Sequence, residues 1–113
     1  MSQPPLRRPA RPQIPPVPGR LPASTRARIE RRLRARHGRS LRDYLALVTV
    51  SSDSPQLEDL ARRTGEIEIA LDRLQRDEYG ICLGCGRPIG ERRLVAAPLA
   101  DRCARCEASA APP

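Results

Sequence analysis

Two apolar runs dominate the middle of the chain. Leu57, Leu60, Thr64, Ile67, Leu71 and Leu74 recur at alternating steps of three and four residues. That spacing keeps them on one side of an α-helix and draws a narrow seam suited to one partner helix. Ser54-Pro55 marks the start: the serine oxygen caps the first turn, and proline suits the first helical position. Glu58 and Asp59 then sit near the positive end of the helix dipole. The run ends near Asp77, before Tyr79-Gly80. Upstream, Ile29, Leu33, Leu41, Tyr44 and Val48 share a face if one helix runs from about Ser24 to Val50. Gly38 interrupts that run, and Ser40-Leu41-Arg42-Asp43 resembles a capping box, so a break or kink near Gly38 is the competing expectation. The linker of residues 51–54 is short and forces the two helices antiparallel. The pattern predicts a mainly α chain: a projecting coiled-coil hairpin over 23–78, with its tip near 49–59.

The pattern fails at both ends. Residues 1–22 hold eight prolines and four arginines and no apolar core. Proline removes donors and breaks helices, so a disordered, extended tail is expected there, and no signal peptide. Residues 108–113 are expected to form a flexible C-terminal tail. No apolar stretch nears the roughly 20 residues that span a bilayer, so no membrane partner is expected. The chain of 113 residues has no Phe or Trp, and its only aromatics are Tyr44 and Tyr79. A large globular core is not expected, and a small module nucleated by a metal is the economical alternative.

That metal has an address. Four cysteines stand as Cys82-Leu83-Gly84-Cys85 and Cys103-Ala104-Arg105-Cys106. Each C-x-x-C turn aims two thiolates at one point, and two facing turns make a closed tetrahedral sulfur site of the kind that holds structural Zn²⁺. Paired disulfides suit secreted mini-proteins, and a redox site needs one such turn beside a strand-helix unit. An iron-sulfur cluster is the remaining rival for four thiolates. Unpaired thiols in this format fit the reducing cytoplasm. Gly84 and Gly86 permit a tight turn whose amides face the sulfurs, with Pro88-Ile89 on one side of the site and Leu94 and Pro98 on the other. His37, the only histidine, falls on the apolar face and reads as a seam or boundary residue. No nucleophile-base arrangement or open metal position is visible, and Glu78 and Glu91 read as surface charges, so no enzyme is expected.

Charge is unevenly placed. Residues 1–50 carry twelve arginines against Glu30 and Asp43, whereas residues 51–81 carry four arginines against eight acids. An arginine-rich N-terminal half suits non-specific contact with nucleic acid, and that contact, or a scaffold role, is the alternative function.

Around the cysteines the string is more specific than the spacing. Tyr79-Gly80-Ile81-Cys82, Cys85-Gly86-Arg87-Pro88-Ile89, Arg93-Leu94, Ala97-Pro98 and Cys103-Ala104-Arg105-Cys106, preceded by Ile69-Ala70-Leu71-Asp72-Arg73-Leu74, resemble the DksA/TraR family of bacterial zinc-finger transcription factors. The likeness covers about residues 66–107, with the finger at 79–107. It implies a regulator that binds bacterial RNA polymerase, sends its coiled-coil arm into the secondary channel and modulates initiation, in some members with ppGpp; a monomer is expected, although a swapped dimer would use the same seam. The family's tip reads Asp-x-x-Asp-x-Ala. Here Asp59-Leu60-Ala61 matches its second half while Gln56 replaces the first Asp; alternatively Asp53 is the tip acid and Gln56 replaces the second. Asp53 and Asp59 are therefore the candidate tip residues. Responsive members often carry a basic residue after the last cysteine; Glu107 stands here, and no ppGpp site is expected.

Overall fold

A computed structural model describes residues 21–110. Helix α1 spans Ala23–Val48 and helix α2 spans Pro55–Gln75. Two short helices follow in the C-terminal segment, α3 at Glu91–Ala96 and α4 at Ala104–Ala110. The described residues form no strand beyond one isolated bridge between Ile81 and Pro88. The mainly helical hairpin with a cysteine-bearing C-terminal module agrees with the expected fold class.

Helix α2 begins as the sequence indicates: Ser54 accepts the Gln56 N–H at 3.2 Å and Pro55 fills the first helical position. It ends in a tight cap. Glu78 N–H reaches Arg73 C=O at 2.9 Å, and Asp77 N–H reaches Leu74 C=O at 3.4 Å. Asp77 takes the left-handed conformation this cap requires, with φ 58°.

Helix α1 runs unbroken through Gly38, so the competing break is absent. Ser40 caps nothing. Its side chain lies 2.6 Å from the Thr64 hydroxyl, which itself donates to Leu60 C=O at 2.7 Å. Ser40 is therefore the donor, and the pair sits in the helix-helix seam. Continuity also shifts the seam. A straight helix carrying Ile29 and Leu33 inward brings Ser40, Tyr44 and Leu47 to the same side. Leu41 and Val48, expected there, are each one residue beyond it and stand exposed. His37 lies at the seam's edge with Nε2 2.9 Å from Glu68 Oε1.

The buried apolar side chains concentrate at the base of the hairpin. Ile29 and Leu33 from α1 and Ile67, Ala70 and Leu74 from α2 join Cys82, Ile89 and Leu94 in one cluster. Of the apolar residues nearer the turn, only Leu57 is buried. Polar contacts fasten α1 to the C-terminal module. Thr25 donates to Glu91 at 2.5 Å, and Arg32 donates to Val95 C=O at 3.2 Å. Arg26 donates to Leu74 C=O, a terminal carbonyl of α2, and pairs with Asp77 at 2.5 Å.

Two boundaries move. Leu21 packs on the core cluster and the Pro22 carbonyl accepts the Arg26 N–H at 3.0 Å, so both belong to the folded body. The rest of the expected tail, residues 1–20, lies outside the described residues. Residues 108–110, expected in a flexible tail, continue α4, as an alanine-rich turn with strong helix propensity favours. Residues 111–113 lie outside the described range.

Candidate metal centre

The first cysteine pair sits in a turn closed by its own backbone. Cys82 N–H donates to Arg87 C=O at 2.8 Å, Ile89 N–H to Gly80 C=O at 2.8 Å, and Gly86 N–H to Cys82 C=O at 2.9 Å. Gly86 at φ 74° turns the chain where a side chain would be strained. The second pair opens α4. Cys103 precedes the helix, its carbonyl accepting Glu107 N–H at 2.9 Å, and Cys106 lies in the first turn. Leu83 N–H donates to Asp101 C=O at 2.8 Å and Arg93 Nε to Arg102 C=O at 3.1 Å, locking the two halves together.

The result is one cluster: the Sγ atoms of Cys82, Cys85, Cys103 and Cys106 all lie within 4.8 Å of one another. The Cys85–Cys103 separation is 3.9 Å. A tetrahedron with Zn–S bonds of about 2.3 Å has edges of about 3.8 Å, so the cage fits zinc with little adjustment. Cys82 is buried, Cys103 and Cys106 are half-buried and Cys85 is exposed.

Backbone amides prepare the sulfurs for charge. Cys103 N–H points at Cys82 Sγ at 3.2 Å and Gly84 N–H at 3.3 Å. Led by the Cys103 amide, these donors lower the Cys82 thiol to about 6. The Cys106 amide, 3.4 Å from Cys103 Sγ, is the main cause holding Cys103 below its ordinary value. Cys106 goes the other way, to about 12, chiefly because its thiol is hydrogen-bonded with the Cys103 sulfur and shares the cage with Cys82 and Cys85. Four sulfurs this close cannot all ionise unaided; a dication at their centre removes the conflict. With four protein ligands no coordination position stays open, so the centre is structural.

Gly84 shows how tightly the cage closes. A Cβ built there would lie 3.0 Å from Cys106 Sγ and 3.1 Å from Cys106 Cβ. Ile89, Leu94 and Pro98 flank the site in buried positions as expected, whereas Pro88 is exposed. Tyr79 donates to Pro98 C=O at 2.7 Å, and burial pushes its phenol up to about 12. Arg73 donates to Glu78 C=O at 3.1 Å and Ile81 C=O at 2.9 Å, clamping the segment that leads into the first cysteine. Sequence reasoning missed Thr25, Arg26 and Arg32 as anchors; within a run of arginines nothing marks which ones turn inward. It also assigned Glu91 to the surface alone, although Glu91 receives Thr25.

The candidate tip residues separate in the structure. Asp53 lies exposed in the turn between α1 and α2. Asp59 lies in the second turn of α2 and pairs with Arg62 and, at 3.0 Å, with Arg63.

Residues 77–110 match the family model described as the prokaryotic dksA/traR C4-type zinc finger. The chain is 48% identical over 42 residues to the RNA polymerase-binding transcription factor DksA of Haemophilus influenzae, covering 37% of this chain and 29% of that one. It is 43% identical over 42 residues to the protein of the same name in Escherichia coli strain K12, covering 37% and 28%. The match thus spans under a third of these curated relatives. Among solved structures, a Dks protein of Chlamydia trachomatis, described as an RNA polymerase binding protein and transcriptional regulator, superposes with TM-score 0.57 at 20% identity. That match covers 79% of this chain and 90% of the other. Transcription factor DksA2 of Pseudomonas aeruginosa gives TM-score 0.56 at 23% identity, covering 84% and 89%. At those identities the likeness concerns the fold. The cage and the family match together identify the four cysteines as a C4-type zinc site.

Proposed function

We propose, for a chain that belongs to the DksA/TraR family of zinc-finger proteins, that it binds bacterial RNA polymerase as a monomer in the cytoplasm and modulates initiation through the secondary channel. The observation that carries this reading is the arm itself. An antiparallel helix pair projects from a zinc-stapled base, and its distal half leaves Leu41, Leu45, Val48 and Val50 exposed. Val50, at the turn, is 83% exposed. Apolar side chains gathered at the end of a narrow arm, away from the chain's own core, gain most when a partner encloses them.

At the tip the two acids have unequal prospects. Asp59 is already matched by two arginines of its own helix. Asp53 sits in the turn with no ion-pair partner among the described residues. Asp53 is therefore the acid we assign to the polymerase active centre, and Asp59 to the stability of the α2 start. The finger holds the base and adds a second contact: Ile69 and Leu83 stand exposed on the rim of a groove of about 300 Å³ also lined by Tyr79 and Leu99.

A photo-crosslinker at Ser52 in the zinc-loaded protein tests the geometry. Crosslinks to secondary-channel elements of polymerase are expected, and Asp53→Ala should abolish the effect on transcription in vitro while leaving polymerase affinity within about threefold. Crosslinks confined to the polymerase exterior, or regulation indifferent to Asp53→Ala and sensitive to Asp59→Ala, would contradict the assignment.

A further inference from the structure

The two arms of the hairpin treat arginine differently. In α2, Arg62 and Arg63 pair with Asp59, Arg76 just beyond the helix pairs with Asp72, and Arg73 serves backbone carbonyls. Helix α1 carries eight arginines against Glu30 and Asp43. Arg26 and Arg34 have carboxylate partners, and Arg32 and Arg42 donate only to carbonyls. Arg28, Arg31, Arg36 and Arg39 have no ion-pair or hydrogen-bond partner among the described residues, and all four are exposed. A coding bias toward arginine would enrich both helices; it would not neutralise one and leave the other bare.

Three of the four bare charges, Arg28, Arg31 and Arg39, share one stripe with the exposed Arg42, whereas Arg36 lies outside it. Helix α1 is continuous through Gly38, so positions 28, 31, 39 and 42 fall within a sector of about 80°, with Arg39 at the edge that lines a groove shared with Leu60, Arg63 and Ile67 of α2. They span about 21 Å of helix. Between the two arginine pairs the same sector carries Ala35 and, at its edge, Gly38, whose outer side is open. Small residues there leave a saddle into which a rigid backbone can settle.

We propose that this face of α1 binds the phosphate backbone of duplex nucleic acid. Planar guanidinium forks suit phosphate oxygens, and contacts of this kind position a protein without reading sequence. The absence of an aromatic side chain from the stripe argues against a single-strand platform, which needs rings for base stacking. It also argues against a protein interface, whose energetic centre is usually a desolvated aromatic or apolar anchor. The apolar residues Leu41 and Val48 lie more than a helical quadrant from the centre of the stripe, and Leu45 lies about 80° from it. None of the four arginines belongs to the proposed tip or to residues 1–20.

Fluorescence anisotropy with the zinc-loaded full chain and a labelled duplex of about 20 base pairs tests it across about 50 to 200 mM salt. The variant R28Q/R31Q/R39Q/R42Q should bind at least about tenfold more weakly at the lowest salt, with a slope of log K against log salt shallower by about 3 to 4. The control R62Q/R63Q/R76Q, which removes a similar charge from paired arginines, should bind within about twofold of the parent. Circular dichroism and zinc content establish that both variants fold. Equal losses in stripe and control variants, or unchanged binding by the stripe variant, would overturn the proposal. So would competition by polyglutamate of equal charge as effective as that by DNA, which would assign the face to an acidic protein surface.

Discussion

At Gly84 the metal cage leaves little room for a side chain. Both close neighbours of an added Cβ belong to Cys106, a ligand held by α4, so neither can withdraw without distorting the cage. Gly84→Ala should therefore weaken zinc binding by at least about tenfold in a chelator competition; unchanged affinity would mean that the cage relaxes freely. Tyr79 offers a second single-residue test. Its phenol, buried and donating to Pro98, is raised to about 12 from the ordinary 10. The neutral form is thus favoured in the folded state. Tyr79 stabilises the fold fully below pH 10, and that contribution is lost as pH rises through the window from 10 to 12. In a Tyr44→Phe background, ultraviolet titration of tyrosinate should show a midpoint near 12 in the zinc form and near 10 after unfolding. The ligand cysteines were the most legible residues in the sequence, because sulfur in this spacing admits few geometries. The anchors Thr25, Arg26 and Arg32 were illegible, because their partners are backbone carbonyls or distant side chains that no local pattern encodes.

Helix α2 was readable almost to the residue, since its cap, its proline and its alternating apolar steps all agree. Helix α1 was harder. Leu41 and Val48 drew the expected face one residue away from the true seam, which runs through Ser40, Tyr44 and Leu47. Polar residues at the seam centre disguise it: Ser40 meets Thr64, and His37 meets Glu68 at its edge. Such a hydroxyl pair sacrifices apolar burial and fixes the register of the two helices. The glycine that suggested a break proves to be a passenger. Nothing lies within 4 Å of a Cβ built on Gly38, and the helix passes straight through it. Gly38→Ala should stabilise the zinc form by about 0.5–1 kcal/mol in urea denaturation, the usual helix-propensity gain. A loss of stability would show that the helix needs a flexible point there.

Across the whole molecule, arm and finger share one core. Ile29 and Leu33 from the first helix touch the same cluster as Cys82, Ile89 and Leu94 from the finger. The division at residues 78 and 79 is therefore one of sequence and not of folding. The cysteine cage that organises the finger also forms part of the wall against which the arm's base packs, through Cys82, Cys103 and Cys106. Zinc-dependent docking on polymerase is the central proposal, and binding of the zinc-loaded chain to bacterial core RNA polymerase, beside Cys82→Ser and beside chelated protein, tests it directly. The account predicts micromolar or tighter binding by the zinc form and loss of at least about tenfold in both metal-deficient forms. No binding by the intact zinc form, or equal binding with and without zinc, would contradict it.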